Sequence, residues 1–368
     1  MKILHITALH LNPTSGVPVV LKQLTTNQNL VEGVTSRVLS LNANVDKMES
    51  PYFDFLGNQS IAEYLRKEMP DVAIIHSFFH GEYAKAAKEL TRLRIPFLIE
   101  PHGSFGHMAM SKSHLKKVVA NNTVFRSLIK DAKAFIFTNE AEKRDSVYRS
   151  PYEFVVPNGV VKEDVRKSVE KSDESIQKPV FYYLGRYDIH HKGIDYLLDA
   201  LDLLEAQKED LCLIFYGTGT KEEIQFVRSR IDRFQYLSVK EAGPIFGEEK
   251  KKALESANIL ILTSRYEGSP MTILDALTYG NPCVVTPGTN VADEIVDNKI
   301  GWTSDLNPEA IAECIIKARN DYICNGKQFY KNAKGYVVEH YSWDKITEAS
   351  IIALRKVLND QQVSEGQS

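Results

Sequence analysis

The sequence predicts two doubly wound α/β domains, and three observations carry that prediction. Short apolar runs alternate with longer amphipathic stretches along the chain, the pattern of parallel sheets covered on both faces. The alternation is interrupted at 170–178 (EKSDESIQK), which is polar and charged with no apolar anchor. The chain has 368 residues, 43% of them hydrophobic, enough to build two cores of ordinary size. Residues 1–169 are therefore read as a first domain, 170–178 as a linker, 179–341 as a second domain, and 342–368 as a closing helix with a polar tail.

The elements follow in order. Residues 2–8 read as a strand, followed by a loop marked by Pro13, Thr14, Ser15 and Gly16, and a helical pattern from Pro18. Strands are predicted over 36–41, 72–76, 96–100 and 134–138, with helices over 61–67 and 81–93 between them. The second half repeats the rhythm, with strands over 180–184, 211–216, 258–263 and 283–286. Helices are predicted over 194–206, 222–230, 272–277 and 308–319. Ligands of such sheets sit at the carboxyl ends of the strands, so both sheets are expected to face one crevice.

Composition excludes several classes. No apolar run approaches the roughly 18–20 residues of a membrane span. The opening residues, MKILHI, lack the apolar block and cleavage site of a signal peptide, so a cytoplasmic protein is expected. Cys212, Cys283, Cys314 and Cys324 form no C-x-x-C pair, which makes disulfide scaffolds and zinc sites poor readings. The net charge is −3, made of +5 over residues 1–169 and −8 over 170–368. That acidity, with no aromatic-interleaved basic stripe, disfavours nucleic acid as a partner.

Three segments carry chemistry. The first is Gly185-Arg186-Tyr187-Asp188-Ile189-His190-His191-Lys192-Gly193, between a strand and a helix. Such a turn offers unpaired backbone N–H groups and a positive helix end, and two cations beside it suit a diphosphate. Two solvated loop charges and a turn glycine would look the same. The second runs from Ser264 through Glu267, Gly268, Ser269, Pro270 and Met271 to Asp275, with Ser269 and Pro270 placed to cap and start a helix. Acids beside an anion-binding helix end suit hydroxyl groups of a sugar or ribose, although an acid near a helix start also complements its dipole. The third is Glu100-Pro101-His102-Gly103, again at a strand's carboxyl end, where a His next to Gly can approach a substrate. His5, His10, His114 and His340 read as surface or packing residues; His76 and His80 are open. Gly16, Gly217 and Gly219 are weaker, since glycine after a strand is routine turn chemistry. No G-x-G-x-x-G fingerprint is present, which argues against a dinucleotide dehydrogenase.

Taken in order, these segments resemble the retaining glycosyltransferases of the GT-B fold, specifically glycosyltransferase family 4 (group 1). The resemblance is strongest from Val180 to Trp302, through G-R-x5-K-G, Gly217-Thr218-Gly219, Ser264–Pro270, Gly280-Asn281-Pro282 and Val285–Gly288. It is looser in the first half, through Ser15-Gly16, His76-Ser77, Pro101-His102-Gly103 and Val156–Val160. It implies two Rossmann-like domains, a nucleotide-diphospho-sugar donor (UDP being the commonest choice) on the second, a glycan or lipid-linked acceptor on the first, and a last helix crossing back to the first domain. It further implies that Arg186 and Lys192 clamp the diphosphate, that Glu267 binds sugar hydroxyls, and that amides of Gly268–Met271 support sugar and phosphate. Gly16, Gly185, Gly217 and Gly219 fall at the donor, the acid at 275 meets the ribose, and His102 sits beside the transferred sugar. The family's second acid is Glu; here Asp275 is one methylene shorter. No Asp-x-Asp motif is present, so metal-independent transfer without a cofactor is expected, as in cell-surface polysaccharide synthesis.

One segment bears on partners. Residues 111–133 carry six basic side chains against Asp131, interleaved with apolar ones. This suits either peripheral contact with the inner face of an anionic membrane or a helix packed against the sheet. Two other classes share the fold: a catalytically silent accessory subunit, which Asp275 favours, and a nucleotide-sugar epimerase.

Overall fold

The structure, a computed structural model, describes residues 1–9, 11, 16–42, 49–107, 110, 125–160, 165, 178–268 and 271–365, with 361–365 by backbone alone. The linker at 170–177, His10, Thr14, Ser15, His114, Ser269, Pro270 and most of the basic segment lie outside the described residues. The chain divides into two compact units, Met1–Gly159 with Trp343–Ser368, and Val160–Ser342.

The first unit is a seven-stranded parallel sheet. Its strands are β1 (Lys2–Thr7), β2 (Thr35–Ser40), β3 (Phe53–Phe55), β4 (Val72–His76), β5 (Phe97–Glu100), β6 (Ala134–Phe137) and β7 (Tyr152–Val155), in spatial order 3-2-1-4-5-6-7. The inner strands are apolar throughout because both faces are covered; β4 and β6 are buried at every position. Its helices are α1 (Gly16–Gln28), α2 (Ile61–Glu68), α3 (Gly81–Arg92), α4 (Arg126–Asp131) and α5 (Glu140–Asp145). Ser60 and Glu63 form a capping box that starts α2 where the apolar period begins. Of the basic segment, the described end is packed: Phe125 and Leu128 are buried in the core of this unit.

The second unit is a six-stranded parallel sheet of β8 (Val180–Arg186), β9 (Cys212–Thr218), β10 (Ser238–Gly243), β11 (Ile259–Leu262), β12 (Cys283–Val285) and β13 (Gly301–Thr303), in order 10-9-8-11-12-13. It is flanked by α6 (Ile194–Ala206), α7 (Lys221–Ile231), α8 (Gly247–Ser256), α9 (Met271–Thr278), α10 (Ala292–Asp297) and α11 (Pro308–His340). The helix expected at 308–319 continues to His340, with a break in helical geometry at Asn325. The closing helix, α12 (Trp343–Glu365), packs on α1 and belongs to the first unit. Val160 and Ser342, the ends of the second unit, form a parallel bridge.

In both sheets the strand order reverses once, between β1 and β4 and between β8 and β11. Crevices outside the carboxyl ends of strands at such a reversal are where open α/β sheets hold ligands. No helix of the described residues is long and apolar enough to cross a membrane.

Candidate active site

Most of the predicted donor residues gather at the reversal point of the second sheet. Arg186 is the last residue of β8, paired in register with Thr218, as Gly185 is with Gly217. A side chain at 217 would place its Cβ 2.1 Å from the Gly185 carbonyl oxygen, so the two loops approach this closely only through glycine. Gly219 then leads into α7, which Thr220 and Glu223 cap. Arg186 is exposed, and its guanidinium makes no ion pair among the described residues. The turn continues to Gly193, whose φ of +62° starts α6. A Cβ there would lie 1.9 Å from the Thr263 carbonyl oxygen at the end of β11.

This contact joins the first predicted segment to the second. Arg265 forks onto Asp195 at 2.7 and 2.8 Å, lies over the Tyr196 ring, and its amide donates to the His191 carbonyl at 2.9 Å. The His191 ring stacks on Tyr266 with centroids 4.1 Å apart. On the far side, Thr286 Oγ1 donates to the Ser264 carbonyl (2.8 Å) and Asn290 Nδ2 to the Glu267 carbonyl (2.5 Å). The loop carrying Glu267 is thus held on both flanks before any ligand arrives, which is the preorganisation a binding loop needs.

Lys192 and Glu267, assigned separate ligand groups by the sequence reading, meet each other. Lys192 Nζ donates to Glu267 Oε1 at 2.5 Å, and Ser264 Oγ donates to the same oxygen at 2.6 Å. Their side chains are only 14% and 10% exposed. Both bonds fall on Oε1, and among the described residues Oε2 accepts none. Asp275, on α9, is engaged elsewhere: Lys250 of α8 pairs with it at 2.5 Å, both about a third exposed. Met271 is the first residue of α9. Lys250 and Asn290 carry no motif signal, and only their spatial neighbours give them a role, as they do for Ser264 at the start of the second segment.

His102 and Gly16 lie in the first unit, Gly16 as the first residue of α1. His102 follows β5 with φ +49°, and Ser77, following β4, has φ +75°. Non-glycine residues held in this region after two adjacent strands are strained, as functional sites often are. Glu142 holds the His102 turn by accepting from Gly103 N (2.5 Å) while also accepting from the Thr138 amide (2.7 Å) and hydroxyl. His102 Nε2 is 3.1 Å from His76 Nδ1, His76 Nε2 is 2.8 Å from His5 Nδ1, and His5 Nε2 is 2.9 Å from Gln28 Oε1. Glu100, 7% exposed, faces both His76 and His102. Burial pushes His5 and His102 down to about 4 and His76 well below the usual imidazole range. Burial, with Glu142 nearby, raises the Glu100 carboxyl to about 8. His5 is thus a packed residue, but one engaged at both ring nitrogens, and His76 joins the cluster. A carboxylate closing the apolar run FLIE was the signal available in sequence for Glu100.

Two parallel sheets, each with its strand reversal, and a last helix returning to the first unit define a GT-B fold. Solved structures agree. Alr3699/HepE of Anabaena, in complex with UDP, superposes with a TM-score of 0.74 at 15% identity over 97% of this chain and 100% of that one. Sucrose-phosphate synthase of Thermosynechococcus elongatus gives 0.73 at 15% identity over 98% and 100%. The family model described as "Glycosyl transferases group 1" matches residues 178–321, and "Glycosyltransferase Family 4" matches 31–164. The two matches, one largely in each unit, together support a group 1 glycosyltransferase of the GT-B fold. A glycosyltransferase of Methanocaldococcus jannaschii, MJ1607, is 28% identical over 244 residues, 62% of this chain. The lipopolysaccharide 1,6-galactosyltransferase of Escherichia coli is 25% identical over 242 residues, 61% of this chain. In each case the match spans 58% of the relative's own length.

Proposed function

We propose that the chain is a retaining glycosyltransferase that moves a sugar from a nucleotide-diphospho-sugar, UDP-linked, to a glycan or lipid-linked acceptor, as in cell-surface polysaccharide synthesis. The observation that carries this reading is the turn Arg186–Gly193 locked against the Glu267 loop at the reversal point of the second sheet. The donor belongs to this second unit and the acceptor to the first. Breaking the anomeric C–O bond of the donor leaves negative charge on the diphosphate and positive charge on the sugar ring. Arg186 and Lys192 meet the growing charge; losing one such contact typically costs about 2.7–4 kcal/mol of barrier lowering. Lys192 spends one proton on Glu267 and keeps two for phosphate oxygens. Glu267 spends Oε1 on Lys192 and Ser264 and keeps Oε2 for a sugar hydroxyl. In the same-face route, the acceptor oxygen forms the new bond to the anomeric carbon and its proton passes to the leaving phosphate. Asp275 reaches the ribose, His102 stands beside the transferred sugar, and no metal takes part in the transfer.

A second reading, a silent accessory subunit, rests on the closed Lys192–Glu267 pair. The test is the melting temperature with UDP, GDP or ADP, followed by release of free sugar from the matching donor. A ligand at about 100 times its Kd stabilises by about 2.7 kcal/mol. A shift with one nucleotide and slow sugar release is expected. No shift with any nucleotide removes the donor-site assignment, and a shift without sugar release favours the accessory subunit.

A further inference from the structure

The carboxyl ends of β4 and β5 hold a second constellation. His76 Nδ1, His102 Nε2 and the Glu100 carboxylate converge so closely that one donor atom from each lies within 4.8 Å of the others. The separations are 3.1 Å between the two nitrogens, 3.4 Å from His76 to Glu100 Oε2, and 3.6 Å from His102 to Glu100 Oε1. Donors about 2.0–2.1 Å from a tetrahedral zinc ion stand roughly 3.3–3.4 Å apart. The Glu100 side chain is 7% exposed, so a nearly buried carboxyl group faces the two ring nitrogens at the end of its strand.

The hydrogen bonds behind the cluster fix which way His76 faces. Ser350 Oγ donates to the Thr347 carbonyl of α12, so its lone pair takes Gln28 Nε2. The other end of the Gln28 amide is then its oxygen, which accepts from Ser36 Oγ and from His5 Nε2. His5 Nδ1 is left as an acceptor and takes the proton of His76 Nε2. His76 Nδ1 therefore presents a lone pair to the cluster. A ligating imidazole whose other nitrogen donates to a fixed acceptor is the usual arrangement behind a metal-bound histidine. His102, the most exposed of the three at 11%, leaves the open side.

We propose that His76, Glu100 and His102 form a site for a divalent cation of the zinc class, with three protein donors and one position open to water. Imidazole nitrogens select such ions over magnesium. This goes beyond the transfer chemistry, which needs no ion at this place.

The test uses the full chain, stripped with a chelator. Cobalt(II) is titrated in as a visible probe, and X-ray absorption is recorded on the zinc-loaded protein. One ion per chain is expected, with the intense visible bands of a four-coordinate site, not displaced by excess Mg2+. Glu100→Gln and His102→Ala should each weaken binding by at least about tenfold. The zinc spectrum should show two imidazoles with oxygen and no sulfur. Absence of saturable binding overturns the proposal. So does a sulfur scatterer at about 2.3 Å, which would place the ion on a cysteine. Binding unchanged in folded Glu100→Gln or His102→Ala overturns it too; the spectrum of the unaltered chain decides the matter where a variant fails to fold.

Discussion

Replacing Lys192 with Ala removes one partner from Glu267, whose carboxylate is 10% exposed and keeps only the Ser264 hydroxyl on Oε1. Truncating one side of a fully buried pair costs about 3–5 kcal/mol, whereas an exposed pair is worth roughly 0.2–1 kcal/mol. At this exposure, with Ser264 still donating, we expect about 2–3 kcal/mol, toward the buried limit. For a unit of this size each kcal/mol moves the melting temperature by about 2–4 °C, so the second unit should melt about 4–12 °C lower. The double variant Lys192→Met/Glu267→Gln leaves no unpaired charge and should recover most of the loss. Both variants should lose the stabilisation by UDP, because neither offers a cation to the diphosphate. Calorimetry of the three proteins, with and without UDP, reads all of this. A Lys192→Ala loss below about 1 °C, with the double variant melting at the same temperature as the single, would refute the claim that the pair is desolvated.

Arg186→Ala should behave differently. Its exposed guanidinium has no ion pair among the described residues, so stability should stay within about 0.5 kcal/mol while the nucleotide-induced shift shrinks, seen in the same melts. Gly193→Ala should destabilise by more than about 2 kcal/mol in denaturant unfolding, from positive φ and a carbonyl oxygen 1.9 Å from the new Cβ. Asp275→Ala should cost under about 1 kcal/mol of stability, since its pair with Lys250 is a third exposed, but should weaken UDP binding by calorimetric titration. Asp275→Glu should keep that binding; full binding by the Ala variant would remove Asp275 from the ribose.

The four strands to which the periodicity gave no bounds, β3, β7, β10 and β13, are the four edges of the two sheets. An edge strand is covered less completely and carries no continuous apolar run; β10 reads SVKEAG and is nowhere buried. The inner strands are covered on both faces and had to be apolar, so 72–76 and 259–262 announced themselves. The helix at 194–206 was legible at both ends because its apolar stripe and its glycine start agree. The continuation of α11 past residue 319 was not legible, since its later residues are half polar and hold their place by packing on α9 and β13.

The sequence by itself determined two doubly wound sheets, and that Arg186, Lys192, Glu267 and Asp275 stand at carboxyl ends of strands or the helices that follow. Those facts depend on local periodicity and turn chemistry, which a linear pattern records. The tertiary structure alone decided that Lys192 neutralises Glu267 while Asp275 is held by Lys250, and that His5, His76, Glu100 and His102 form one buried cluster. Apart from Glu100 and His102, which are two positions apart, these pairings join residues 24 to 75 positions apart. They arise from strand order and register, which set neighbours that no spacing along the chain encodes.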